Sequence, residues 1–261
     1  MEYKNIAVDK KGEIGFLILN RPEVGNRLGQ ESFTEICQTL KELSADDDVR
    51  LIIVKGAGEN FCVGADVTEI TKLDEVGRCS FFSSLGEMYK TFQRIDKVTI
   101  VMVNGYATAA GLGIPLSCDL VVASEDAQFG ATGVKVGLFC MTASAVLLPR
   151  IVGSKKALEM GLTGDLISAK EAERLGMVNV VVPKERLEPA TMELAQKILS
   201  KNPVSIVLGK RNFYACAELG FDKGLDYSAE MYSTLTATRE AREGMRAFLE
   251  KRGPHWEMEE K

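Results

Sequence analysis

Four aliphatic runs, "GFLIL", "LIIVKG", "VTIVMVNG" and "DLVVAS", are spread over the first 124 residues of the chain. Each is bounded by glycine or polar residues, the pattern of a buried strand. What separates them is too long for hairpins and carries helical periodicity. Phe33, Ile36, Leu40 and Leu43 share one face over roughly residues 30 to 45, and Phe82, Leu85, Met88, Tyr89, Phe92 and Ile95 share another. Strands joined by long helical crossovers imply an α/β architecture with mainly parallel pairing.

The second half reads as almost entirely helical. Ser168 followed by Glu171 is a capping-box pattern, with Gly176 placed to end the helix. Asn202-Pro203 pairs a cap residue with a proline at the first helical position. "MVNVVVP" is a short strand between helices. Residues from about 203 to 251 form two or three amphipathic helices without a core of their own, so they pack on a body or on another subunit. At 261 residues the chain is long enough for a substantial core, and no linker or repeat divides it. The expected organisation is a core over 1–200 and a helical region over 201–261 that does not fold independently.

Charge and rare residues exclude several classes of chemistry. The net charge is -5, and no basic stripe points to nucleic acid. The six cysteines (37, 62, 79, 118, 140 and 216) lie far apart, and the one histidine is His255. A Cys/His metal site and a Ser-His-Asp triad are therefore not expected. Scattered cysteines read as buried and reduced, and the charged start "MEYKNIAVDKKGE" is no signal peptide, so a cytoplasmic location is expected. No run approaches the roughly 20 apolar residues of a membrane span.

Two Gly/Ala-rich segments follow core strands: "FCVGADV" (61–67) and "GYATAAGLG" (105–113). Loops at the ends of parallel strands commonly hold ligands, and small side chains leave backbone N–H groups exposed. Two such groups meeting on one oxygen make an oxyanion hole. Taken alone, each segment reads first as a tight turn packed on the sheet.

Their order and spacing add a resemblance. "NRPEVGN", "FCVGADVTE", "NGYATAAGLGIPLSCDLVVASEDAQFG", "VGLF" and "ALEMGLTGDLISAKEAERLGMVNVVVP" together resemble the enoyl-CoA hydratase/isomerase (crotonase) superfamily over about residues 3 to 252. The resemblance implies a spiral of ββα turns with C-terminal helices that build a homotrimer, often paired into a hexamer. It implies an acyl-CoA thioester as substrate, with no other cofactor and no metal. The thioester carbonyl would be polarised by the backbone N–H groups of Ala65 and Ala110. Val24, Gly64, Asp66, Val67 and Gly111 would flank the CoA, and Lys251 would reach its phosphates on a neighbouring subunit. Asp66 reads equally as a helix cap, and Lys251 as a solvated lysine.

Members of that family that hydrate use two glutamates. Counting from "SCD" and "AQFG" puts the matching positions at Gly113 and Gly133, in an acyl pocket that also takes in Thr132 and Cys140. Glycine transfers no proton, and each general acid-base group is worth about 10²- to 10⁴-fold in rate. The pattern "ATAAG", "SCD", "ATGVKVGLFC" is similar to the enoyl-CoA hydratase domain-containing subgroup. "MTASAVLLPRIVG" also resembles ring-degrading dienoyl-CoA hydratases, which keep an acidic residue. Substitutes considered for the missing acids are the thiols Cys62 and Cys140 and the carboxylates Glu69, Asp74, Glu75 and Glu87. The cysteines read first as inert core residues and the acids as solvated surface; Lys135, Tyr106 and Thr132 are further polar neighbours. Open alternatives are a non-catalytic acyl-CoA-binding protein or complex subunit, and a different enolate reaction: decarboxylation, dienoyl-CoA hydration or thioester hydrolysis.

Overall fold

The structure is a computed structural model that describes residues 3–256. Its larger sheet has six strands in the order β1-β2-β3-β4-β6-β9: Ile6–Lys11, Ile14–Leu19, Leu51–Gly56, Val98–Val103, Leu120–Ser124 and Val180–Val182. Within this sheet β1 and β2 pair antiparallel, and every later neighbour is parallel. A second sheet stacks β5 (Tyr106–Thr108), β7 (Gln128–Gly130) and β8 (Ile167–Ser168). The chain thus forms an α/β spiral in which each turn adds a strand to the larger sheet.

The strands read as unbroken apolar runs because both sheet faces are covered. Alternate residues divide between two cores. Ile52, Val54, Val101 and Val103 face a cluster with α1 (Gln30–Ala45) and α3 (Glu75–Arg94), which follows the short α2 (Val67–Ile70). Leu51, Ile53, Ile100 and Met102 face the opposite side, where Leu187, Ala195 and Leu199 of a later helix close a second cluster. Between them come α4 (Gly113–Ser117) and α5 to α8 (Ala143–Val146, Leu148–Val152, Ser154–Thr163 and Ala169–Arg174). The later helix is α9 (Leu187–Leu199).

One expectation about α3 is corrected. Leu85, Met88, Tyr89, Phe92 and Ile95 are buried, but Phe82 is 38 % exposed and Phe81 fills the core position instead. Residue 81 stands four before Leu85 and so shares its stripe, while 82 is turned by one residue. Phe81 packs edge-on against Phe33 of α1, with centroids 4.9 Å apart. Burying such a ring is worth about 1.5–3 kcal/mol.

The caps form as the sequence leads one to expect. Ser168 Oγ accepts from Glu171 N at 3.2 Å, and Asn202 Oδ1 accepts from Val204 N and Ser205 N at 2.9 and 3.1 Å. Three helices finish the described chain: α10 (Pro203–Glu218), α11 (Phe221–Thr236) and α12 (Arg239–Leu249). They leave large apolar side chains outside, among them Phe213, Phe221 and Phe248 at 71 %, 81 % and 82 % exposure. A half-buried polar knot holds α10 to the sheet. Asp119 accepts from Thr99 N and Lys210 Nζ through Oδ2 (2.7 and 2.8 Å) and from the Tyr214 hydroxyl through Oδ1 (2.9 Å). Among the described residues no helix is long and apolar enough to cross a membrane.

Candidate functional site

The segment after β3 lies between two other stretches of chain. On one side Val63 N donates to Gly25 O (3.0 Å), Leu28 N to Gly64 O (2.9 Å) and Asp66 N to Leu28 O (2.8 Å). On the other, Phe61 N donates to Asn104 O (2.8 Å), Cys62 N to Tyr106 O (2.9 Å) and Thr108 N to Cys62 O (3.0 Å). The bridge between Leu28 and Ala65 is parallel, so it uses the neighbours' groups, Gly64 O and Asp66 N. Ala65's own N–H is therefore turned away from Leu28, toward the flank where residues 104–108 run. It has no backbone acceptor among the described residues.

Gly64 makes that turn possible. Its φ is 124°, a region that side-chain-bearing residues rarely adopt. A β-carbon there would lie 3.1 Å from the Ala109 β-carbon and 3.7 Å from Ala110 N. The two Gly/Ala-rich loops thus touch, with the 64–65 backbone beside the Ala110 amide. Ala110 is the second residue of a short 3-10 turn, Ala109–Leu112. The first N–H groups of any helical turn have no acceptor within it. Ala110 keeps an ordinary negative φ, while Ala109 before it takes φ 50°.

Packing accounts for some of the small residues. A β-carbon at Gly111 would meet the Cys62 carbonyl and lie 2.7 Å from Cys62 Sγ; one at Gly105 would meet the Glu59 carbonyl. At these two positions the loops are small because they press on each other.

Gly113 opens α4, and a β-carbon there would run into the Tyr89 ring, 2.5 Å from Cε1 and 2.6 Å from the hydroxyl oxygen. Tyr89 is buried and donates its hydroxyl hydrogen to Ala110 O at 2.6 Å. Gly133 follows Thr132 in the 3-10 turn Thr132–Val136. Its N–H donates to Cys140 Sγ at 3.2 Å, and a β-carbon at 133 would lie 3.1 Å from that sulfur. Gly113 is thus joined to the 109–112 turn through Tyr89, while Gly133 and Cys140 are joined to each other. Sequence reading took Tyr89 only as a core residue of α3; the available signal was a lone hydroxyl on an otherwise apolar stripe.

The thiols and carboxylates named above as possible acid-base groups are mostly engaged elsewhere. Burial pushes the Cys62 thiol up to about 12, and burial also raises Cys140, so neither supplies a thiolate near neutral pH. Glu69 accepts from Gln30 N at the start of α1 (3.2 Å), and Asp74 caps α3 through Gly77 N (2.7 Å). Glu87 pairs with Lys90 and Arg94 at 3.3 and 3.2 Å. Glu75, Lys135 and Tyr106 are exposed.

Of the residues assigned to CoA, Val24 ends a 3-10 turn, Pro22–Val24, whose following Gly25 packs on Val63. Asp66 is a helix cap, accepting from Thr68 N at 3.1 Å, and stands 3.5 Å from Arg21. Val67 is 41 % exposed beside it. Lys251, exposed and at φ 56°, closes α12, and no ion pair or hydrogen bond joins it to these loops among the described residues. Among the described residues no group of three or more His, Cys, Asp or Glu is placed to hold a metal ion.

The enoyl-CoA hydratase/isomerase family model matches residues 9–259. A crotonyl-CoA hydratase of Syntrophomonas wolfei is 33 % identical over 254 residues, covering 97 % of each chain. Mouse enoyl-CoA hydratase domain-containing protein 3, a mitochondrial protein, is 36 % identical over 243 residues, covering 92 % of this chain and 80 % of its own. The crystal structure of the human protein of that name superposes with a TM-score of 0.93 at 33 % identity, covering 97 % of this chain and all of its own.

Proposed function

Since the chain belongs to the enoyl-CoA hydratase/isomerase family, we propose that it binds an acyl-CoA thioester with the carbonyl oxygen between the N–H groups of Ala65 and Ala110. The observation that carries this is the contact of the two loops at Gly64, 3.7 Å from its would-be β-carbon to Ala110 N. It joins an Ala65 N–H turned away from Leu28 with an Ala110 N–H at the start of a helical turn. Two aligned donors stabilise negative charge on the thioester oxygen as an enolate forms, and losing one costs about 10²- to 10³-fold in rate. The turn at Val24, the Gly64–Val67 segment and Gly111 would flank the CoA. Lys251 would reach its phosphates in a neighbouring copy.

In the same reading, Gly113 and Gly133 stand where the family's hydratases carry their acid-base pair, so ordinary hydration is lost. A glycine has no proton to give, and the spaces beside both are taken by Tyr89 and Cys140. The exposed apolar faces of α10 to α12 fit burial between copies of the chain in a trimer.

The test pairs two measurements on the full chain. Calorimetry with acetyl-, butyryl-, octanoyl- and benzoyl-CoA is expected to give binding of at least one ester. Crotonyl-CoA hydration, followed by loss of enoyl absorbance, is expected to stay at the uncatalysed rate. Hydratase turnover would overturn the missing-acid argument; absence of binding to every ester would overturn the thioester site.

A further inference from the structure

Resting on the proposed thioester site, we infer that Tyr89 is a positioning residue: its buried hydroxyl clamps the 109–112 turn and so sets how strongly the thioester carbonyl is polarised. The clamp reaches in from α3, twenty-one positions earlier in the chain.

Ala109 sits at φ 50°, a strained conformation for a residue with a β-carbon. Such a conformation persists only where its surroundings over-determine it. The carbonyl of the next residue, Ala110, is held twice: by Gly113 N–H within the turn and by the Tyr89 hydroxyl at 2.6 Å from outside. Both lone pairs of that oxygen are occupied, so the turn cannot rotate without stranding a buried donor.

Gly113 is the counterpart of this arrangement. Any β-carbon at 113 would occupy the place of the Tyr89 ring end, so the phenol and a side chain at 113 exclude each other. Burial raises the phenol's pKa well above its ordinary value, so the group remains a neutral donor throughout the physiological range. It acts through Ala110 as a fixed dipole, with no proton transfer.

The experiment compares the full-length protein with Tyr89→Phe, using whichever ester of the acetyl, butyryl, octanoyl and benzoyl series binds tightest, labelled with ¹³C at the carbonyl. Isotope-edited infrared difference spectra read the downshift of the bound thioester stretch, and calorimetry reads affinity for free CoA. Tyr89→Phe is expected to reduce the downshift by about half or more while CoA affinity stays within about threefold. Gly113→Ala, which forces the ring end aside, should reproduce the effect, and it decides the matter if Tyr89→Phe does not fold. A full downshift in a folded variant of either kind overturns the assignment to Tyr89 alone. No ester bound by the unmodified protein would instead overturn the thioester site itself.

Discussion

The two loops that meet at Gly64 and Ala109 differ in how they hold their unusual backbone. At 61–67 the awkward position, φ 124°, is occupied by Gly64, which takes it at little steric cost. In the second loop Gly105 likewise takes φ 56°, but the position before Ala110, φ 50°, is occupied by Ala109, which does not take it cheaply. The first loop carries its geometry in its own residue, whereas the second is held by a side chain from another helix, Tyr89. A loop of the first kind is robust to changes in its neighbours and intolerant of changes in itself. A loop of the second kind depends on its neighbour as well as on itself.

The contrast is broken or sharpened most forcefully at the glycine. Gly64→Ala puts a side chain at φ 124° with its β-carbon 3.1 Å from that of Ala109. The backbone strain alone is expected to cost about 1–3 kcal/mol. Urea unfolding should show it as a lower midpoint with an unchanged slope; a midpoint equal to the parent's would remove the claim that glycine is required there.

Next comes Gly113→Ala, where overpacking against Tyr89 is expected to cost about 1–3 kcal/mol. The same substitution made together with Tyr89→Ala should cost less, giving a coupling of roughly 0.5–3 kcal/mol in a double-mutant cycle. Additive effects would mean that the ring and position 113 do not share the space.

A smaller effect separates two adjacent alanines. Ala110→Gly, at negative φ inside the turn, should destabilise by about 0.5–1 kcal/mol. Ala109→Gly should be neutral or stabilising, because relief of the left-handed conformation offsets the entropy of glycine. Equal losses at 109 and 110 in thermal unfolding would remove the strain from the account.

The smallest effect lies away from both loops. The Arg211 guanidinium holds the Asp96 carboxyl below its usual range. The pair sits at the surface, so Asp96→Asn should cost only about 0.2–1 kcal/mol at pH 7. A depressed carboxylate contributes above its unfolded pKa of about 3.9 and loses that contribution as pH falls through the folded value. The difference between the two proteins should therefore close below about pH 4, and a gap that persists there would show that the ion pair is not its source.

Much of the architecture could be read from local pattern. Alternating apolar runs and a helical stripe are repeated within a few residues, and caps such as Asn202 and Ser168 act on amides two or three positions away. The misplacement of Phe82 has the same origin: one residue of phase, about 100° of rotation, is decided by what lies opposite, and Phe33 lies opposite Phe81. The polar knot at Asp119 was not readable, because its partners Thr99, Lys210 and Tyr214 look individually like ordinary strand and helix residues. Asp66 was readable as a cap because its acceptor role is local.

The family, the α/β spiral and the positions of the two small-residue loops are properties of the sequence alone, since strand, helix and turn preferences operate over short stretches of chain. Whether a glycine leaves room or makes way for a neighbour is a different kind of fact. Gly113 and Tyr89 are far apart along the chain, and only the packing of α3 against α4 reveals that the phenol holds the space beside Gly113. Side chains compete for volume in three dimensions, and that competition has no local signature.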